Sequence, residues 1–345
     1  MPPGFPLFLL PDNVVLSVFQ SMELVEQILL SMLSVRTKKI VCSLNHHSDC
    51  EEISLHTYAS YELFVRLYPF IIRVAFKKFE EVAERELVEI ERPERIKFHV
   101  SRIVGGRNES VDYQWENGTF EVRDYIDHFM EILHHNWIDE LNVTINTAYP
   151  LESIQQHVNG LDLRKLTIFE RNSEDEMINY LNAIKPSRSL NFERSPSFVW
   201  NHTKMSQFFI QNLDQISIGK APSLTLDDLL LMNMSEIKIN KTRMTGKDFN
   251  RFLKHWMAGS NPRLRYLWIE CHLTDDFEEE QYERDVLQGI DHRKMADGEE
   301  RTYVMNMGLY EERTETFSGG SYIRRKDGTE AIVHTEEIFF TFILQ

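Results

Sequence analysis

The chain has 345 residues, of which 42% are apolar and 27% charged, and both fractions are near the averages of globular proteins. These values exclude a wholly disordered chain, a collagen and a disulfide scaffold. Its 38 basic and 54 acidic residues give a net charge of −16, which disfavours sequence-independent binding to nucleic acid and binding to an anionic membrane surface.

The N-terminal segment and the cysteine content bear on the cellular compartment. No apolar run approaches the roughly 20 residues that a membrane-spanning helix needs. Residues 1–11 lack a basic segment and contain prolines, so we read them as the lead-in to a domain and not as a signal peptide. Cys42, Cys50 and Cys271 form a sparse, odd set, which is typical of a reducing compartment. We therefore expect a cytoplasmic or nuclear protein.

Residues 1–50 form the first predicted domain, with three short helices within residues 5–45. Asp12 opens the first helix, and Ser21 and Ser34 are the predicted N-caps of the second and third. Three helices of about two or three turns rarely bury a sufficient core alone. Some of their apolar side chains should therefore be buried against another molecule, most simply a partner protein.

Residues 51–137 are predicted to be a mixed helix and strand region. Residues 58–67 read as a helix, and residues 96–103 alternate with period two, which indicates a strand. The pair Asn117-Gly118 is a strong signal for a hairpin between residues 111–115 and 119–122. A helix is predicted to follow over residues 123–135.

Residues 138–271 repeat the pattern apolar-x-x-apolar-x-apolar. The central apolar residues of its six copies are Leu141, Leu166, Leu190, Ile216, Ile237 and Leu267. Their mean spacing of about 25 residues lies within the range of leucine-rich repeats, and helical patterns fill the gaps. Because no regular Asn follows each strand, we predict an irregular leucine-rich-repeat-like domain of strands and helices.

Residues 272–345 are predicted to close the repeat domain. An acidic segment at 275–285 precedes strand patterns at 301–306, 321–325 and 331–344, with a tight turn at 326–329. These strands are predicted to form an antiparallel cap, since the open end of a stack of repeats must be covered. The fold class is therefore α+β with an α/β repeat region.

Enzyme signatures are nearly absent from the sequence. It has none of the common phosphate-binding, nucleophile-elbow or zinc-protease motifs. The one cluster that could hold zinc consists of Cys42, His46, His47, Cys50 and His56. Its spacing matches no standard site, so we predict no enzyme, no metal and no cofactor. A metal-assisted enzyme stays open as an alternative that a stoichiometric zinc content would support.

Two blocks of sequence carry a family resemblance. Residues 5–16, with Leu-Leu-Pro-Asp at 9–12, and residues 33–41 resemble the F-box of nematode F-box proteins. Residues 224–229, Phe-Leu-Lys-His-Trp at 252–256 and Ser-Asn-Pro-Arg-Leu at 260–264 resemble the type 2 F-box-associated domain of the same proteins, and residues 322–333 resemble their C-terminal strand pair. The resemblance covers nearly the whole chain.

The resemblance implies a substrate-recognition subunit of a cullin–RING ubiquitin ligase. Its F-box would dock on a Skp-type adaptor and its C-terminal domain would hold a target protein. The matching adaptor-binding positions are Leu10, Pro11, Val14, Val15, Val18, Ile28, Leu29, Leu33 and Ile40. The sequence departs from the general F-box pattern at two places that bear on adaptor affinity. The late Trp of many F-boxes is missing, as expected for the nematode form, and Val35 stands where that form usually carries a basic residue. The alternative is a repeat-type interaction module that acts outside a ubiquitin ligase.

The repeat register also predicts where a target would bind. Residues between and after the apolar strand positions face outward on the sheet. The candidates are Thr167, Phe169, Lys238, Asn240, Trp268 and Glu270. Trp268 suits a binding hot spot, unless the C-terminal strands cover it. The identity of the target, and whether it must be phosphorylated, stay open.

Overall fold

A computed structural model describes residues 7–46, 50–58, 60–77, 92–104, 107–144, 149–169, 174–193, 202–272, 279–296, 298–306 and 312–345. These residues contain ten α-helices and seventeen strands, which confirms a mixed protein with a large content of sheet. The contacts divide the chain into two compact units. The first comprises residues 1–140 and 147–162, and the second comprises residues 141–146 and 163–345.

The first unit begins with a short 3-10 turn, Leu7–Leu9, and three helices. The helices are α1 (Asp12–Ser21), α2 (Leu24–Ser31) and α3 (Val35–Ser43). Ser34 caps α3 as predicted, because its Oγ accepts a hydrogen bond from the Thr37 N–H. Ser21 instead ends α1, and a reciprocal capping box between Glu23 and Glu26 begins α2.

The rest of the first unit is an antiparallel sheet with two helices. Its strands pair in chain order. They are β1 (Cys50–His56), β2 (Tyr61–Leu67), β3 (Phe70–Lys77), β4 (Arg95–Val104) and β5 (Arg107–Glu116). After them come α4 (Val122–Ile132), β6 (Trp137–Thr144) and α5 (Leu151–Val158). The contact division places residues 137–140 of β6 in the first unit and residues 141–144 in the second.

Two local predictions for this region are wrong. A helix was predicted at 58–67, but residues 61–67 form strand β2, in which alternate side chains from Tyr61 to Leu67 are buried. Asn117-Gly118 does not close a hairpin, because β5 pairs with the preceding strand β4. The Asn117 side chain donates to the Phe120 carbonyl, and a capping box at Glu121 then begins α4.

The second unit begins with alternating strands and helices. The strands are β7 (Asp162–Phe169), β8 (Ser189–Phe192), β9 (Gln215–Ile218), β10 (Glu236–Thr242) and β11 (Tyr266–Cys271). The helices between them are α6 (Glu174–Ala183), α7 (His202–Phe209), α8 (Leu226–Leu231) and α9 (Gly246–Ala258). Successive strands from β7 to β11 pair in parallel. All six predicted central residues of the repeat lie in strands, from β6 to β11.

The C-terminal elements extend this sheet in antiparallel fashion. They are α10 (Glu279–Leu287), β12 (His292–Lys294), β13 (Glu300–Asn306), β14 (Glu312–Ser318), β15 (Ser321–Arg324), β16 (Glu330–Glu336) and β17 (Phe339–Leu344). The final strand β17 inserts between β11 and β16, while β13 and β14 form a separate two-stranded sheet. On the helix side, Phe249 of α9 stacks on Phe340 with ring centroids 4.3 Å apart.

Candidate functional site

Five large apolar side chains of the N-terminal helices and of the segments next to them are exposed to solvent. Leu9, Leu33 and Val35 are 83%, 74% and 72% exposed, and Phe8 and Val14 are also exposed. We call these five residues the apolar patch. An exposed group of large apolar side chains on a small helical unit is typical of a protein-interaction surface. This agrees with the prediction that residues 5–45 carry more apolar side chains than they can bury.

The predicted adaptor-binding residues divide by their exposure. Pro11, Val14 and Leu33 are exposed, and Leu10, Val18, Leu29 and Ile40 are half-buried. Val15 and Ile28 are buried, so they hold the helices together and cannot contact an adaptor directly. The helical spacing of these residues predicted an apolar face on each helix. It did not indicate which of the apolar side chains are buried within the unit. Phe8 and Leu9 were missed, although both directly precede the Leu-Pro pair.

A buried polar contact ties the N-terminal helices to α4. Ser31 Oγ lies 2.8 Å from His128 Nε2 and donates to the Ile28 carbonyl at 2.6 Å. Because the hydroxyl has a single proton, His128 must donate from Nε2. Burial lowers the pKa of His128 to about 4, with a further lowering from Lys38 and an opposing effect from Glu131. His128 is therefore neutral at pH 7 and acts as a hydrogen-bond donor.

A second buried polar cluster joins β1 to the start of β6. The Asp139 carboxylate accepts hydrogen bonds from the Ile53 N–H at 2.7 Å, from His135 Nε2 at 2.8 Å and from Trp137 Nε1 at 2.6 Å. Asp139 is fully buried and His135 nearly so. Three donors around one carboxylate satisfy its charge without solvent, so this cluster has a structural explanation.

The residues of the possible zinc cluster have separate surroundings. Cys42 Sγ lies 3.9 Å from the Glu131 carbonyl, His46 Nε2 lies 2.7 Å from Gln27 Oε1, and burial raises the pKa of the Cys50 thiol to about 12. His47 lies outside the described residues. Within the described ranges, no three His, Cys, Asp or Glu side chains come together as metal ligands would.

One face of the sheet in the second unit packs against the helices, and the other face points away from them. Leu166, Leu190, Ile216, Ile237 and Leu267 are buried. The next residue of each strand lies on the opposite face, and the strand register aligns these residues in one row. The row consists of Thr167, Asn191, Ser217, Lys238 and Trp268.

Trp268 is covered on part of its surface by the C-terminal elements. Its ring stacks on Phe339 with centroids 5.3 Å apart and packs against a cluster that includes Tyr266 and Tyr322. Lys238 Nζ lies 5.1 Å from the centroid of the same ring, within the range of a cation–π contact. The Trp268 side chain is thus half-buried and fixed in orientation beside Lys238.

A polar cavity of about 350 Å³ lies over strands β7 to β10. Its lining includes Lys165, Ser189, Asn191, Gln215, Ser217 and Lys238. We call this space the polar cavity. Two of the predicted target-binding residues, Lys238 and Asn240, line it. Its polar lining distinguishes it from the mostly apolar pockets that bind small molecules.

The other predicted target-binding residues lie outside the polar cavity lining. Thr167 has the predicted outward parity but is only 1% exposed, so it is unavailable for direct contact. Phe169, Trp268 and Glu270 are half-buried. The cavity residues Lys165, Ser189 and Gln215 were missed, although they share the outward parity of the sheet row. Lys165 lies within β7, and Ser189 and Gln215 begin β8 and β9.

The strand–helix part of the second unit matches a known domain. Residues 204–269 match the family described as F-box associated. The chain is also similar to the F-box associated domain-containing protein sdz-33 of Caenorhabditis elegans, with 22% identity over 280 residues, covering 78% of this chain and 79% of that protein. The predicted relationship to nematode proteins with an F-box-associated domain is confirmed by these matches. In the described part of the chain, no helix has the length and apolar character to cross a membrane.

Proposed function

We propose that this protein is a non-catalytic substrate receptor of a cullin–RING ubiquitin ligase. The observation that carries the proposal is the apolar patch, whose residues lie in the segments that resemble an F-box. The same chain also carries the match to an F-box-associated domain. The patch would bind a Skp-type adaptor, and through the adaptor a cullin. The second unit, whose parallel strand–helix units support a leucine-rich-repeat-like architecture, would hold the target protein.

The proposed mechanism is proximity. A receptor that binds adaptor and target together raises the effective concentration of a target lysine beside the charged ubiquitin-conjugating enzyme. No residue of this chain performs bond chemistry in this scheme, and no metal or cofactor is needed. The role requires neither nucleic acid nor membrane, and it belongs in the cytoplasm or the nucleus.

A second function is supported by one observation. Val35 is exposed at the position where the nematode F-box usually carries a basic residue. Loss of that charge would weaken docking if the adaptor presents acidic groups there. The alternative is a protein-interaction module that acts outside a ubiquitin ligase and uses the same second unit.

Capture by a purified Skp-type adaptor tests the proposal. Leu33→Asp places a charge in the apolar patch at an exposed site, so folding should be preserved while binding weakens about thirtyfold or more. Ile210→Asp is the matched control, because Ile210 is also exposed but lies in the second unit. Circular dichroism checks that each variant is folded.

The result has three decisive forms. Capture of the wild type and of Ile210→Asp, with loss of capture for Leu33→Asp, would support the receptor. A folded wild type that binds no adaptor would reject it and leave the interaction module. Equal capture of both variants would show that the apolar patch is not the docking surface.

A further inference from the structure

Four neutral hydrogen-bonding residues of β8 and β9 belong to the lining of the polar cavity, and we call these four residues its floor. Ser189 of β8 is in register with Gln215 of β9, and Asn191 of β8 is in register with Ser217 of β9. All four side chains line the cavity. Hydroxyl and amide groups can donate hydrogen bonds to an anion without adding charge of their own.

Lysines border this floor on opposite sides. Lys165 lies on β7 next to Ser189, and Lys238 lies on β10 next to Ser217. Adjacent strands are about 4.8 Å apart, so the backbones of these lysines are separated across the sheet by roughly 14 Å. Both lysines belong to the cavity lining, and Lys238 Nζ lies 5.1 Å from the centroid of the Trp268 ring.

The acidic groups near the cavity have hydrogen-bonding partners of their own. Glu193, the one carboxylate in the cavity lining, accepts a hydrogen bond from the Asn191 side chain at 3.1 Å. Glu236 begins the same strand as Lys238 and accepts from the Tyr303 hydroxyl at 3.5 Å. The lining itself therefore contains two cations and one anion, on a chain whose net charge is −16.

We infer that the polar cavity binds an acidic side chain carried by an extended segment of the target protein. This inference rests on the proposed function and adds the class of ligand to it. A carboxylate over the floor would accept hydrogen bonds from hydroxyl and amide donors and would face ammonium groups from two sides. The open sheet face admits an extended segment. The overall acidity of the chain repels anions elsewhere, so an acidic side chain should bind at the polar cavity and not at other parts of the surface.

Binding of designed peptides tests the inference on the full chain. The probes are fluorescently labelled ten-residue repeats of Gly-Glu and Gly-Gln, which differ only in charge, measured by fluorescence polarisation at about 150 mM salt. The Gly-Glu peptide should bind at least about tenfold more tightly than the Gly-Gln peptide. Inorganic phosphate is added in a separate arm, in which strong displacement would indicate a phosphorylated target instead of a carboxylate.

Three variants separate the cavity from general charge effects. Lys238→Glu should weaken Gly-Glu binding at least about tenfold, because it replaces an attractive charge by a repulsive one. Ser217→Trp should produce a similar loss without changing any charge, because its side chain would fill the cavity. Lys247→Glu, at an exposed position on α9, is the control and should bind like the wild type.

The same protein preparations are tested for adaptor capture, so the two proposals can fail separately. Equal binding of the two peptides by a protein that captures adaptor would overturn the acidic ligand and leave the receptor standing. Normal Gly-Glu binding by folded Ser217→Trp would overturn the location of the site. Displacement by millimolar phosphate would overturn the carboxylate as the ligand. Selective Gly-Glu binding that both cavity variants lose would support the inference, whether or not adaptor is captured.

Discussion

The contact between His128 and Ser31 predicts a specific pH dependence of stability. Burial holds the pKa of His128 at about 4 in the folded protein, against about 6.5 in the unfolded chain. Between these values the unfolded state binds a proton that the folded state does not, so the free energy of unfolding decreases as the pH is lowered. From pH 7 to pH 5 the loss from this group is about 2 kcal/mol, and it levels off below about pH 4.

The variant His128→Leu removes the titrating group and keeps an apolar side chain in its place. Ser31 keeps a hydrogen-bond partner in the variant, because its hydroxyl donates to the Ile28 carbonyl. We expect the pH 7 to pH 5 decrease in the free energy of unfolding to be about 2 kcal/mol smaller in the variant than in the wild type. Other titrating groups are common to both proteins and cancel in this comparison.

Urea denaturation at the two pH values measures this difference, and amide hydrogen exchange in α2 and α4 shows whether the change lies at the contact. The variant His292→Leu, at an exposed site in the second unit, controls for the loss of a histidine. An identical pH dependence in the wild type and His128→Leu would refute the reasoning, because it would mean that His128 is not held neutral by burial.

Further predictions concern packing and buried polar groups. Gly219→Ala should lower the free energy of unfolding by about 1–3 kcal/mol, because an added Cβ would lie 2.5 Å from the backbone carbonyl oxygen of Glu193. Gly118→Ala should cost far less, because a Cβ added there would have no atom within 4 Å. Asp139→Ala should cost at least about 3 kcal/mol in urea denaturation, since it removes the acceptor of the buried Ile53 and His135 donors and of the half-buried Trp137 donor. Asp139→Asn should restore part of the loss. Trp256→Ala should cost about 3–5 kcal/mol and lower the thermal midpoint clearly, while Ile210→Ala, at an exposed site, should change it little. Equal effects of the two variants in any of these three comparisons would contradict the packing or the hydrogen bonding described.

Local signals in the sequence were enough to locate most elements of the second unit. Helices α8 and α9 fill two of the gaps in which helical patterns were predicted, and each is preceded by a Thr that forms a capping box with an Asp. The strand centres followed from the spacing of apolar residues, because side-chain alternation is a property of each strand alone. The same parity placed Lys238 and Asn240 on the outward face that the cavity occupies.

Long-range packing decided the rest. Where two local signals competed, at residues 58–67 and at Asn117-Gly118, the neighbouring strands selected the outcome. The polar cavity depends on which strands lie side by side, and the coverage of Trp268 depends on β17 pairing with β11. Parity and capping arise from residues a few positions apart and can be read along the chain. Lateral neighbours are brought together only when the whole sheet buries its apolar face, so the tertiary structure alone determined them.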